Sequence, residues 1–140
     1  TIKIWEKDSS GLYQVTETLE GHTDQVDTLQ VLPDGRIISG SGDGTIKIWD
    51  KDSSGLYQVT ETLEGHTNWV NTLQVLPDGR IVSGSDDDTI KIWSKDSSGL
   101  YQVTETLEGH TNSVLTLQVL PDGRIVSGSS DHTIKIWDGK

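Results

Sequence analysis

The pentapeptide TIKIW begins at Thr1, Thr45, Thr89 and Thr133, so the chain repeats itself every 44 residues. This divides it into repeats 1–44, 45–88 and 89–132, followed by a terminal strand, 133–140, all read as one repeat domain. Seven positions of the period differ between copies: Glu6/Asp50/Ser94, Asp24/Asn68/Asn112, Gln25/Trp69/Ser113, Asp27/Asn71/Leu115, Ile38/Val82/Val126, Gly42/Asp86/Ser130 and Gly44/Asp88/His132. A period of this length points to a stacked or radial array with one supersecondary unit per repeat. Drift would have scattered differences more widely, so the repeats were amplified recently or engineered. A chain that starts and stops inside a repeat reads as engineered or trimmed.

Within one period the apolar pattern favours strands. TIKIW (Thr45 to Trp49) alternates β-branched and polar residues, as a half-buried strand does. LYQVTETLE (Leu56 to Glu64) alternates too, predicting Tyr57, Val59, Glu61 and Leu63 on one face and Leu56, Gln58, Thr60 and Thr62 on the other. VNTLQVL (Val70 to Leu76) is the most apolar stretch and is expected to lie deepest. IVSGS (Ile81 to Ser85) is the fourth strand. Between them stand KDSSG, GHT, PDGR and DDD, rich in residues that favour turns. Four short strands joined by tight turns make an antiparallel sheet. The chain has no alanine, the strongest helix former, and only 31% of its residues are hydrophobic. The fold class is therefore all-β, in thin sheets that bury one layer between neighbours.

The ordered set GH, apolar strand, PDG, SGSxD and TIKIW, present three times, resembles the WD-repeat β-propeller family over the whole chain. Aspartate follows TIKIW at Asp50 and Asp138, whereas Glu6 and Ser94 depart from that pattern. The resemblance implies four-stranded antiparallel blades, three per chain. It also implies a structural hydrogen-bond network in each blade: His22, Ser39, Asp43 and Trp49; His66, Ser83, Asp87 and Trp93; His110, Ser127, Asp131 and Trp137. Ser41 and its equivalents share a face with Ser39, so either serine satisfies the pattern. Buried polar groups need partners, and an indole N–H, a hydroxyl, an imidazole and a carboxylate can form an unbroken chain of them.

Other chemistries fit poorly. A Ser, His and Asp set occurring once per repeat, with a Trp donor on the serine, lacks the singular pocket of an enzyme, so no catalytic residue is assigned. Asp86, Asp87 and Asp88 read as a solvated turn rather than a cation site, because the other copies read GDG and SDH and hard cations need several converging oxygens. His132 reads as a surface turn residue. No metal or cofactor is expected. A net charge of −11 opposes nucleic acid and anionic membranes, and no apolar run is long enough to cross a membrane as a helix. The chain is expected to be soluble. Without cysteine the compartment is undecided, with the cytoplasm the default.

Three blades cannot close a ring, since closed propellers use more. Identical chains usually solve this by symmetric association. A homotrimer of nine blades is placed ahead of a homodimer of six, because inner strands bearing Val, Leu and Gln suit a wider ring. Leu12 to Glu20 of one copy is expected to complete the sheet begun by the C-terminal strands of the next, leaving one TIKIW surplus. Trp5 lacks a preceding His and Asp, so the N-terminal TIKIW is the one expected to be displaced. Five of the seven variable positions fall in two loops that the resemblance places at one end of the ring axis. Gln25, Asp27, Gly42, Trp69, Asn71, Asp86, Ser113, Leu115 and Ser130 are the candidate surface for a peptide or protein partner. Trp69 stands first as an aromatic anchor and Leu115 second. The expected function is a non-catalytic binding or scaffolding module that assembles with itself. The alternative is a purely structural assembly without a ligand.

Overall fold

The computed structural model describes residues 1–138. Those residues form thirteen strands and no helix, hence no helix able to cross a membrane. In chain order the strands are β1 (Ile2–Lys7), β2 (Tyr13–Leu19), β3 (Val26–Val31), β4 (Ile37–Ser41), β5 (Ile46–Lys51), β6 (Tyr57–Leu63) and β7 (Val70–Val75). They continue as β8 (Ile81–Ser85), β9 (Ile90–Lys95), β10 (Tyr101–Leu107), β11 (Val114–Val119), β12 (Ile125–Ser129) and β13 (Ile134–Trp137). Two complete sheets, β3-β4-β5-β6 and β7-β8-β9-β10, sit between two partial ones, β1-β2 and β11-β12-β13. Every pairing is antiparallel and joins neighbours in sequence.

Local chemistry fixes the hairpins. In PDGR, Gly79 takes a φ of 91°, and Asp78 accepts hydrogen bonds from Arg80 N at 3.1 Å and Arg80 Nε at 2.8 Å. In KDSSG, Asp52 accepts from Ser54 N at 2.8 Å and Leu56 N at 3.1 Å, with Gly55 at a φ of 85°. Glycine reaches this left-handed region without steric cost. Asp88 and His132 adopt φ values of 73° and 71° where the first copy has Gly44, so those two copies carry backbone strain that the first avoids.

Two strand expectations change. Trp49 pairs with Val59 but Ile48 pairs with Glu61, so Thr60 is an unpaired bulge residue. A bulge reverses the alternation beyond it. Tyr57 and Val59 therefore share a face with Trp49, while Glu61 and Leu63 share the opposite face with Ile48 and Ile46. A second bulge, at Asn71, lies between Val70 and Thr72. The deepest strand is β8, buried at every residue, rather than the more apolar β7. The reason is position: β8 has a strand on each edge and a sheet on each face, whereas β7 has one free edge.

Sheets pack face to face. Ile46, Ile48 and Leu63 of the first complete sheet meet Leu73, Ile81, Trp93 and Tyr101 of the second. Val82, Ile90 and Ile92 of the second meet Val114, Leu117 and Ile125 of the third. Each such aliphatic side chain contributes about 1.5–3 kcal/mol when fully buried. Polar links reinforce the outer strands: Tyr57 N donates to Glu17 and Tyr101 N to Glu61, each at 2.6 Å. At Gly84, as at Gly40, the approach is closest: a Cβ on Gly84 would lie 2.7 Å from Val114 Cγ1 and 2.8 Å from Thr72 Cγ2.

Candidate functional site

The bulges and hairpins bring four polar side chains together in each blade. Trp49 Nε1 donates to Ser39 Oγ at 2.9 Å, Ser39 Oγ lies 2.7 Å from His22 Nε2, and His22 Nδ1 lies 2.8 Å from Asp43 Oδ2. The second set repeats this with Trp93, Ser83, His66 and Asp87 at 2.8, 2.7 and 2.7 Å. The third has Trp137, Ser127, His110 and Asp131 at 2.8, 2.7 and 2.7 Å. An indole can only donate, so the serine spends its hydroxyl proton on Nε2 and the Nδ1–H points at the carboxylate. One neutral tautomer satisfies the whole chain.

Ser41 does something different. Its hydroxyl accepts from Asp43 N at 3.0 Å, tightening the turn that aims Asp43 at the histidine. Asp43 also accepts from Thr23 N at 3.1 Å and Thr45 N at 2.9 Å. The histidine loop, the turn and two strands are thereby tied to one carboxylate.

These contacts set the ionisation. At Asp43, burial pushes the pKa up, but the Thr45 hydroxyl, His22 and the amides of Thr45 and Thr23 outweigh it and hold the carboxyl well below its ordinary 3.8. Burial likewise opposes, and His66 and Thr89 overcome it, at Asp87. Asp131 is lowered chiefly by the Thr133 hydroxyl. Burial lowers His22 from 6.5 against the opposing pull of Asp43. For both kinds of group the unfolded chain takes up protons first, so stability is lost as pH falls. Loss is expected to begin below about pH 6.5 through His22 and to steepen below about pH 4 through the aspartates. Urea midpoints measured across this range check it. Asp87→Asn should flatten the acid limb, and an unchanged slope would contradict the assignment.

The arrangement copies the spacing of a nucleophilic triad, yet Ser39, Ser83 and Ser127 are 0% exposed. A substrate cannot reach those hydroxyls, and each already accepts an indole N–H. The chemistry left to the network is structural.

The variable residues cluster as well. Gly42 N donates to Gln25 O at 2.8 Å, Asp86 N to Trp69 O at 2.9 Å and Ser130 N to Ser113 O at 3.0 Å, so the two variable loops of each blade meet at one end of the sheet. Trp69 is not a free anchor. It is half-buried, and its Cε2 lies 3.1 Å from where a Cβ on Gly42 would stand. Asn71 Nδ2 donates to Asp86 Oδ1 at 2.6 Å and to Val114 O of the next blade at 3.0 Å. Gln25, Asp27 and Leu115 remain exposed, while Ser113 and Ser130 are half-buried. Some of the variation is thus packing between blades: the ring of Trp69 faces glycine, whereas Ser113 stands at the equivalent place beside Asp86. Gly42→Asp is expected to cost about 1–3 kcal/mol through overpacking. Adding Trp69→Ser should recover most of it, giving a coupling in a double-mutant cycle. Strict additivity would show that the two side chains do not compete for that space.

Sequence reasoning missed the contribution of Tyr101, whose hydroxyl donates to Gly79 O at 2.9 Å and so ties the outer strand β10 to the β7–β8 hairpin of its own blade. The only sequence signal was its invariance among copies, which most positions share. Among the described residues no group of side chains is arranged to hold a metal ion.

Antiparallel four-stranded blades, each pinned by a Trp–Ser–His–Asp chain, define a β-propeller of the WD type. The chain belongs to the WD40 family: the family model for the WD domain, G-beta repeat, matches residues 13–50, 57–94 and 101–138. Among solved structures it is similar to the crystal structure of the WD40 β-propeller domain of Doa1, at 35% sequence identity and a TM-score of 0.79. That match covers 91% of this chain but 41% of the other. A comparison with curated proteins returns no match. The family consists in general of non-catalytic scaffolds for protein interaction.

Proposed function

We propose that this chain is a non-catalytic interaction module whose blades close into a ring with further copies of itself. One observation carries the reading. Equivalent residues are buried inside the chain and bare at its two ends. Leu73 and Leu117 are 1% exposed, but Leu29 is 48% exposed; Ile46 and Ile90 are 0% exposed, but Ile134 is 76% exposed. Beside Leu29, an open groove of about 360 Å3 is lined by Ile2, Ile4, Val31 and Ile37. The two bare surfaces are the two halves of the contact that the complete sheets already make with each other, so a second copy fits them. Apolar surfaces of this kind are rarely left uncovered on soluble monomers.

Three copies would give nine blades and two copies six. Native mass spectrometry of the 140-residue chain is expected to return a closed multiple of 15.3 kDa, the trimer ahead of the dimer. A folded particle of 15.3 kDa would overturn the reading. The exposed residues Gln25, Asp27 and Leu115 then form the repeating rim on which a peptide or protein would dock. A second reading, an assembly with no ligand, is favoured by the use of Trp69, Asn71 and Asp86 in contacts between and within blades. Titration of candidate peptides against the chain and its Leu115→Ala variant separates the two: affinity lost in the variant supports docking at the rim.

A further inference from the structure

Where one blade follows another, the residue after SGS of the first lies against the residue before the bulged strand of the second. At the first junction these are Gly42 and Trp69: a Cβ on Gly42 would lie 3.1 Å from Trp69 Cε2. At the second junction Asp86 takes the place of Gly42, and Ser113 that of Trp69. Asn71 ties this pair together. It donates to Asp86 Oδ1 at 2.6 Å and to Val114 O, beside Ser113, at 3.0 Å. Two of these positions face no blade of the same chain. They are Gln25, exposed ahead of β3, and Ser130, half-buried after β12.

Across the junctions, side-chain sizes run in opposite order. Gly42, the smallest of Gly42, Asp86 and Ser130, faces Trp69, the largest of Gln25, Trp69 and Ser113. Asp86, the largest of its set, faces Ser113, the smallest of the other. Ser130 and Gln25 are the intermediate members. Of the six ways to match three residues with three, only this one reverses the ranking throughout. Close packing tolerates neither an excess nor a deficit of volume. Neighbours within each blade follow the same order. Asn71 holds Asp86 in place, so that carboxylate cannot swing out of the path of an indole. In the first blade the residue equivalent to Asn71 is Asp27, whose charge would repel an aspartate at position 42, and glycine stands there.

Resting on the ring closure proposed above, we propose that these loop pairs are the elements by which a blade selects its neighbour, and that Ser130 of one copy and Gln25 of the next form the pair that seats the copies in order. The partner is a second copy of this chain. The sheets cannot make this selection. Their ladders share one register, and Val70 and Leu73 are buried between blades as Val114 and Leu117 are. By its apolar face alone, each blade would accept any other. A blade bearing Trp69 that docked behind Asp86 or Ser130 would meet a side chain where Gly42 has none. Gln25 is flexible enough to lie over Ser130, and its amide can donate to the Ser130 hydroxyl. On docking, Gln25 leaves the exposed rim and joins the contact between copies.

Gln25→Trp brings to the copy junction a ring that only Gly42 accommodates. Gln25 is exposed in the free chain, so the replacement leaves the fold of a single copy intact. Native mass spectrometry across a dilution series gives the concentration for half-assembly. For Q25W it should rise about 5- to 150-fold per junction, the range that overpacking produces. Ser130→Gly alone should change it little. The double variant Q25W/S130G copies the pairing of Gly42 with Trp69 and should return close to the unmodified value. Mixing reads the contact between copies directly. Q25W chains, held at 15.3 kDa when alone and dilute, should enter mixed particles once S130G chains are added, because those chains leave the indole room. Two results would overturn the pairing while leaving ring closure standing. One is a Q25W chain that assembles at the same concentration as the unmodified chain. The other is a deficit that S130G relieves neither in the same chain nor in the mixture. An unmodified chain that stays at the monomer mass at every concentration would instead overturn ring closure, and the pairing with it.

Discussion

Trp93→Ala should be the most damaging single replacement in the central blade, costing about 3–5 kcal/mol, as large-to-small changes at buried aromatics do. Trp93 is 2% exposed, packs with Ile46, Ile48 and Ile81 in the cluster between the two complete sheets, and donates to Ser83 at 2.8 Å. Truncation would open a cavity and leave a buried hydroxyl short of a donor. Trp93→Phe separates the two losses, because it keeps most of the packing and removes the N–H. It should cost about 1–3 kcal/mol. His66→Ala breaks the same chain one link further on and should fall in that range as well. Denaturant midpoints at one fixed protein concentration measure all three, since association contributes to apparent stability. A Trp93→Ala midpoint equal to that of Trp93→Phe would mean that packing around the ring is not what the indole supplies.

Gly84→Ala is the second large effect, and it acts both between blades, at Val114, and within one, at Thr72. The added methyl would stand 2.7 Å from Val114 Cγ1 and 2.8 Å from Thr72 Cγ2, and neither β-branched side chain can swing away on its own strand. Overpacking of this kind costs about 1–3 kcal/mol. Val114→Ala in the same chain removes the nearer obstacle and should restore part of the loss. The Gly40 and Val70 pair repeats the contact at 2.7 Å, so Gly40→Ala is an internal replicate. If Gly84→Ala leaves thermal stability unchanged, the sheets are not held at the separation described here.

What the sequence made legible was whatever is written into short segments. Four strands per period follow from apolar alternation between TIKIW and IVSGS, and the PDGR and KDSSG turns follow from residues that bond their own backbone. The residues grouped by the family resemblance, His66, Ser83, Asp87 and Trp93, are placed within hydrogen-bonding distance of one another. The choice between Ser83 and Ser85 was illegible because both point to the same face. In the structure Ser83 meets the histidine ring, while Ser85 accepts from Asp87 N at 3.0 Å within the turn.

The bulges themselves left no trace. Thr60 looks like any alternating residue of LYQVTETLE, yet it reverses the strand so that Tyr57 joins Trp49 while Glu61 turns toward the next blade. Trp69 was misjudged for a related reason. An aromatic in a variable loop reads as an exposed anchor until a glycine in the preceding blade supplies a floor for it. In both cases the deciding partner lies in another strand or another blade, where local pattern is silent.

The identical registers of β5 on β6 and β9 on β10 carry a consequence for how the polypeptide reaches its native state. A strand that mispairs one whole period out of phase meets the same neighbours, with the same bond count and the same side chains. Such an error is nearly isoenergetic along the ladder, so it is not corrected by local strain, and tandem proteins of this sort are prone to swapped species. Fidelity must then come from kinetics: each hairpin zips within microseconds, long before a distant duplicate diffuses into reach. Dilution and slow removal of denaturant should therefore favour uniform particles, and concentrated refolding a mixture.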